Sequence, residues 1–172
     1  MKAQYVQAMD ALQRLCLIIA GVCLVVITLI IPWGVFTRYV LNSASSWPEP
    51  MAVLLMIWFS FMSAAVCYRE YLHIGVQVVP AMLKGNARIA CGWIIEFCMA
   101  GTSVFMLWYG TTLVKAMWFQ SIADFPIVST GISYLPVPIG GGIVALFVIE
   151  RLWTGKLFQD PSADTLSTIS TE

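Results

Sequence analysis

Charge is scarce in this chain. Only 10% of its 172 residues are Asp, Glu, Lys or Arg, whereas 60% are hydrophobic. A soluble domain is about a quarter charged, so this composition excludes an ordinary globular one. Histidine occurs once, at His73. One imidazole cannot supply the paired axial ligands of a membrane haem, nor the two histidines of an HExxH zinc motif. The five cysteines, Cys16, Cys23, Cys67, Cys91 and Cys98, contain no CxxC pair. They lie in or at the ends of apolar stretches, where cysteine behaves as a small hydrophobe, so neither a disulfide framework nor a metal site is expected. Glycine-rich phosphate loops and nucleophilic triads are also missing, and the short polar segments leave no room for a catalytic domain. The expectation is a non-enzymatic protein with no cofactor and no nucleic-acid partner.

What the chain has in abundance is long apolar runs. Leu15 to Phe36 is 22 residues without a charge, Met51 to Tyr68 is 18, and Gly131 to Ile149 is 19. Ile89 to Val114 is 26 residues interrupted only by Glu96. Crossing a hydrocarbon core of about 30 Å takes roughly 20 helical residues. Backbone groups in lipid must be satisfied within the segment, so these runs read as helices and not as strands. The fold expected is an all-α integral membrane protein with transmembrane helices over 15–36, 51–68, 89–114 and 131–149. The first run exceeds the 7–15 apolar residues of a signal peptide. Arg38 also separates it from the small-residue cluster Ser43-Ala44-Ser45-Ser46, so it is expected to remain as a membrane helix. Residues 1–158 form the expected membrane domain. Residues 159–172, with six Ser or Thr and no aromatics, read as a disordered tail.

Four spans place both ends of the chain and the 69–88 segment on one side. That side carries Lys2, Arg14, Arg69, Lys84, Arg88, Arg151 and Lys156, against Arg38 and Lys115 on the other. Seven basic residues against two predicts cytoplasmic termini in a bacterial inner membrane. Beyond Arg69, the polar residues Glu70, His73 and Gln77 and the apolar residues Leu72, Val76, Val79 and Leu83 form two helical stripes. They predict an amphipathic surface helix between the second and third spans, anchored by Arg69 at the lipid headgroups or on a nearby carboxylate; the alternation of Ile74, Val76 and Val78 also permits an extended segment. Pro80 breaks it or starts a further turn. His73 falls on the polar stripe as a positioning group. On the other side, 115–130 carries Trp118, Phe119, Phe125 and Pro126 and is too apolar for a free loop, so it is expected to skim the bilayer or dock on a partner.

Glu96 is the ionisable residue well inside a span, where charge is costly and functional by default. It shares a helical face with Gly92, Ala100, Ser103 and Gly110, and small residues there admit a neighbouring helix. Two readings stay open: a carboxyl hydrogen-bonded at a helix interface, or a proton- or ion-coupling group. A single carboxylate makes a poor relay. Gly140-Gly141-Gly142 follows Pro136 and Pro138. Gly141 with Ala145 makes a small-xxx-small packing pair, whereas a broken transporter helix needs a matching interruption elsewhere.

Read together, several short motifs resemble the small membrane subunit, the DctQ-type component, of tripartite ATP-independent periplasmic (TRAP) transporters. Phe36-Thr37-Arg38-Tyr39 closes the first span, and Ser46-Trp47-Pro48-Glu49 opens the second. Trp58-Phe59-Ser60-Phe61, Ala64-Ala65, Arg69 and His73-Ile74-Gly75-Val76 follow, and Phe125-Pro126 and Tyr134-Leu135-Pro136-Val137-Pro138-Ile139-Gly140 look like the start of the family's fourth helix. The likeness covers most of 14–153. One departure is that the family often opens the second helix with two adjacent acids, where this chain has Glu49-Pro50. The resemblance implies a large multi-spanning transport subunit as partner, a periplasmic substrate-binding protein, and sodium-driven uptake of an organic anion. The small subunit would brace the moving one and help form the docking surface. Interface or anchoring candidates are Arg38, Trp47, Glu49, Arg69, His73, Glu96 and Gly141, with membrane lipids around them. Competing readings are an autonomous four-helix transporter, recognisable by transport in liposomes, and a membrane anchor of a redox complex, recognisable by a visible spectrum.

Overall fold

The computed structural model describes residues 2–43, 45–70, 86–122 and 125–154. Four helices in it are long and apolar enough to cross a membrane. They are α1 (Lys2–Tyr39), α2 (Pro48–Arg69), α3 (Asn86–Met117) and a fourth span built from the short α4 (Thr130–Tyr134) and α5 (Pro136–Thr154). Each overruns the apolar run that marks it. Hydropathy reports the part that meets lipid, whereas backbone hydrogen bonding carries the helix on into polar residues. The overrun is largest in α1, where residues 2–14 contain neither Gly nor Pro and the helix reaches 38 residues, about 57 Å at 1.5 Å per residue. The 71–85 segment, with the expected surface helix and His73, lies outside the described residues, as do 155–172 and the expected tail.

Local sequence sets the turns. After Tyr39 the chain reverses through Asn42, whose φ of 47° lies in the left-handed region that Asn tolerates. Pro48 opens α2 at a first-turn position, where its missing N–H costs nothing. Between the third and fourth spans the chain makes a small antiparallel ribbon, β1 (Ser121–Ile122) with β2 (Phe125–Ser129), irregular between Ser121 and Ile122. This ribbon is an addition to the expected all-helical chain. Ser129 ends it and caps α4: its hydroxyl accepts from the Gly131 amide at 3.1 Å and donates to the Trp118 carbonyl. Leu135 makes the turn between α4 and α5, where Pro136 and Pro138 lack the donors to continue the first helix.

The helices are arranged around a central pair. α1 packs mainly on α2, α2 on α5, and α5 on α3. The core lies between the first three: Met9, Cys16 and Ala20 from α1, Met62, Ala65 and Val66 from α2, and Ile143, Phe147 and Val148 from α5. Phe147 is fully buried at its centre. The outer helices are far more open. In α1 and α3, 17% of the apolar window is buried, against 39% in the fourth span. They present Leu15, Val22 and Leu29 on one flank and Trp93, Phe97 and Trp108 on the other, surfaces suited to lipid or to another membrane protein.

Candidate functional site

Successive helical residues point about 100° apart, so two neighbours on a central helix can serve two different partners. The chain does this twice at the end of the bundle where α1 and α3 begin and α2 and α5 end. Tyr68 and Arg69 close α2, and Glu150 and Arg151 lie near the end of α5.

Arg69 and Glu150 turn toward α1. The Arg69 Nε donates to Glu150 Oε2 at 2.9 Å and its Nη2 to Glu150 Oε1 at 2.8 Å, a two-pronged contact that Lys could not make. The same Nη2 donates to Asp10 Oδ1 at 2.6 Å, and Nη1 donates to the side-chain oxygen Oε1 of Gln13. The Gln13 amide then donates to Glu70 Oε1 at 2.5 Å. Phe147 supplies a ring 5.3 Å from the Arg69 guanidinium, within cation–π range. One cation thus joins α1, α2 and α5. Of the two partners expected for Arg69, headgroup phosphate or a nearby carboxylate, the structure shows carboxylates, those of Asp10 and Glu150.

Arg151 and Tyr68 turn toward α3. Arg151 Nη1 donates to Glu96 Oε1 at 2.9 Å, and its Nη2 donates to the Tyr68 carbonyl. The Tyr68 hydroxyl donates to the other Glu96 oxygen, Oε2, while the Tyr68 ring lies 4.1 Å from the Arg151 guanidinium. This cluster is the drier of the two. Side-chain exposure is 2% for Glu96 and 8% for Arg151, compared with 49% for Asp10 in the first cluster. Desolvated charges of this kind persist only when paired and hydrogen-bonded. Both Glu96 oxygens have partners, one of them the Arg151 guanidinium. Such an arrangement fastens helices, and it gives Glu96 a fixed counter-ion from the fourth span.

Above this clasp the helices meet through small residues. On α3 the buried positions are Gly92, Glu96, Ser103, Gly110 and Val114, one face directed at α5. Helix α5 runs unbroken through Gly140-Gly141-Gly142. A Cβ on Gly141 would come within 2.8 Å of the Met106 Cβ, and one on Gly110 within 3.0 Å of the Pro138 ring. Two close approaches between α3 and α5 therefore depend on hydrogen in place of a side chain.

The other candidates are dispersed. Arg38 is in the last turn of α1, Trp47 is the half-buried residue preceding α2, and exposed Glu49 is in the first turn of α2. They share the opposite end of the bundle, about a membrane thickness from Arg69 and Glu96. Asp10, Gln13, Tyr68, Glu150 and Arg151 escaped sequence reasoning as site residues. In the sequence Arg151 reads only as a basic residue flanking a span. The available signal was opposite charge on matching ends of different runs: Asp10 before the first, Arg69 after the second, Glu150 and Arg151 after the fourth.

Four apolar helices, pinned by buried ion pairs and close-packed at glycines, define a small multi-pass membrane protein. The sequence profile described as "Tripartite ATP-independent periplasmic transporters, DctQ component" matches residues 27–156; the chain belongs to this family and is a small permease subunit of a TRAP transporter. A relative from Haemophilus influenzae, provisionally named a TRAP transporter small permease protein, is 27% identical over 148 residues, 83% of this chain and 85% of the relative. The sialic acid TRAP transporter small permease protein SiaQ of Vibrio cholerae is 21% identical over 124 residues, 72% of this chain and 71% of that one. The isethionate TRAP transporter permease protein DctMQ of Oleidesulfovibrio alaskensis is 24% identical over 125 residues, 72% of this chain but only 20% of that protein.

Proposed function

We propose that this subunit is a rigid brace for a large, multi-spanning permease subunit in a sodium-driven importer of an organic anion. A periplasmic substrate-binding protein would dock partly on the end that carries Arg38, Trp47 and Glu49. The observation that carries the reading is the double clasp: Arg69 and Arg151 tie the central helices α2 and α5 to α1 and α3. Tied helices resist tilting when a partner slides against them, while the open apolar flanks of α1 and α3 offer the area to hold that partner. The relative whose name joins M and Q, in which the matched stretch is one-fifth of the chain, supports a partnership with a large permease subunit. The seven-to-two distribution of basic residues supports cytoplasmic termini in the inner membrane, with the clasp on the cytoplasmic side.

The test is co-purification with the large subunit beside sodium-driven uptake in liposomes containing the binding protein. A brace predicts that Glu96→Gln, whose single amide oxygen can still accept from Arg151 while its NH2 turns to donate to the Tyr68 hydroxyl, lowers uptake only in proportion to complex yield. Abolished uptake at normal yield would assign Glu96 to ion coupling and end the bracing interpretation of that residue. Uptake by this chain alone would overturn the whole reading.

A further inference from the structure

A groove of about 340 Å³ runs between α1 and α2 at the end of the bundle remote from the clasp. Its walls are Ile27, Ile31 and Val35 from α1 and Ala52, Val53 and Met56 from α2, and Arg38, Tyr39, Ser45 and Glu49 surround its mouth. From Ile27 to Arg38 is about 16 Å of helix rise, close to the half-thickness of a hydrocarbon core of about 30 Å. The groove therefore has the depth of one leaflet, an apolar floor and a polar rim.

The rim is chemically specific. Arg38 and Glu49 border the same groove, both are exposed, and among the described residues neither takes part in an ion pair. Opposite charges that share a rim without joining leave room for a ligand that answers both. We propose that this groove binds a phospholipid with a primary-amine headgroup: one acyl chain lies between α1 and α2, the phosphate meets Arg38 and the Tyr39 hydroxyl, and the ammonium donates to Glu49. A guanidinium suits phosphate because it offers several donors in one plane. A quaternary ammonium lacks the N–H that Glu49 would accept, and an uncharged glycerol headgroup leaves the carboxylate without a counter-charge. Gly34 contributes to the fit: its missing side chain lets the Pro48 ring come to 3.1 Å from where a Cβ would sit, so α1 and α2 approach closely beside the groove.

The experiment uses the full chain, alone and in complex with its large subunit, in nanodiscs of equimolar phosphatidylethanolamine, phosphatidylcholine and phosphatidylglycerol of matched acyl chains. Native mass spectrometry counts the lipids that stay bound. The expected result is retention of one phosphatidylethanolamine in both states, preferred over phosphatidylcholine by roughly fivefold, the scale of one exposed charge contact. Glu49→Gln should erase that preference, Arg38→Gln should lower retention of both lipids, and Ala52→Phe should displace lipid by filling the groove. The two charge variants lie on the surface, so they test the site even if Ala52→Phe fails to fold. Equal retention of all three lipids by the native chain would overturn the proposal. So would loss of the lipid in the complex, which would make the groove a seat for a helix of the large subunit.

Discussion

At the end of the bundle that holds α1's start and α5's finish, Arg69 and Arg151 each bond a carboxylate from another helix. At the far end Arg38 and Glu49 border one groove and do not meet. The same residue types thus serve two purposes. Where four helices converge, charge is drawn out of solvent: the Glu96 side chain is 2% exposed, and its pairing with Arg151 at 2.9 Å is what makes burial tolerable. Where only two helices meet at a turn, charge stays at the surface and the contact between α1 and α2 is apolar. Burial, and not the presence of charge, decides whether an ionisable residue holds this fold together.

Four single substitutions and one double variant sharpen that contrast, and the effects of the single ones should descend in order. Arg151→Ala should be the most damaging. It leaves Glu96 as an unpaired buried carboxylate and deprives the Tyr68 carbonyl of its donor, a loss of about 3–5 kcal/mol. Thermal unfolding in mild detergent, followed by size-exclusion profile, is the measurement, and a native-like transition would show that the clasp is ornamental. Combining Arg151→Met with Glu96→Leu should be milder than Arg151→Ala alone, because no charge is then stranded.

Gly141→Val comes next. Its Cβ would lie 2.8 Å from the Met106 Cβ, so α3 and α5 must separate, at about 1–3 kcal/mol. The same unfolding assay should register it, with cysteine cross-linking between the two helices reduced.

Asp10→Asn should be small. Asp10 is half exposed, its side chain 49% accessible, and Arg69 keeps Glu150, so the change should stay below about 1 kcal/mol. A drop comparable to Arg151→Ala would mean that the first cluster is as dry as the second and would erase the distinction drawn between them.

Arg38→Gln should leave stability within about 0.5 kcal/mol, as for most surface changes. A marked fall in its unfolding temperature would show that the far end is also held by charge.

The membrane class, the number of spans and the family motifs were legible without coordinates because each depends on neighbours in sequence. Hydropathy sums over about 20 adjacent residues, and the small-residue face with Glu96 follows from helical spacing alone. The extra length of α1 escaped hydropathy because residues 2–14 are helical without being lipid-soluble. The ribbon at 121–129 escaped because its pairing depends on how the chain returns beneath Trp118 to the Ser129 cap.

The clasp is of another kind. Its ion pairs join residues 55 to 81 positions apart, and which carboxylate meets which guanidinium depends on helix rotation and neighbour order, neither of which hydropathy encodes. The apolar runs determined that four helices cross a membrane, since hydrocarbon leaves a polar backbone no other satisfied form. Only the packing of α2 and α5 as the central pair decided that Arg69 faces α1, Arg151 faces α3, and Glu96 is buried with a counter-ion, because a charge can be buried only where another helix supplies its partner.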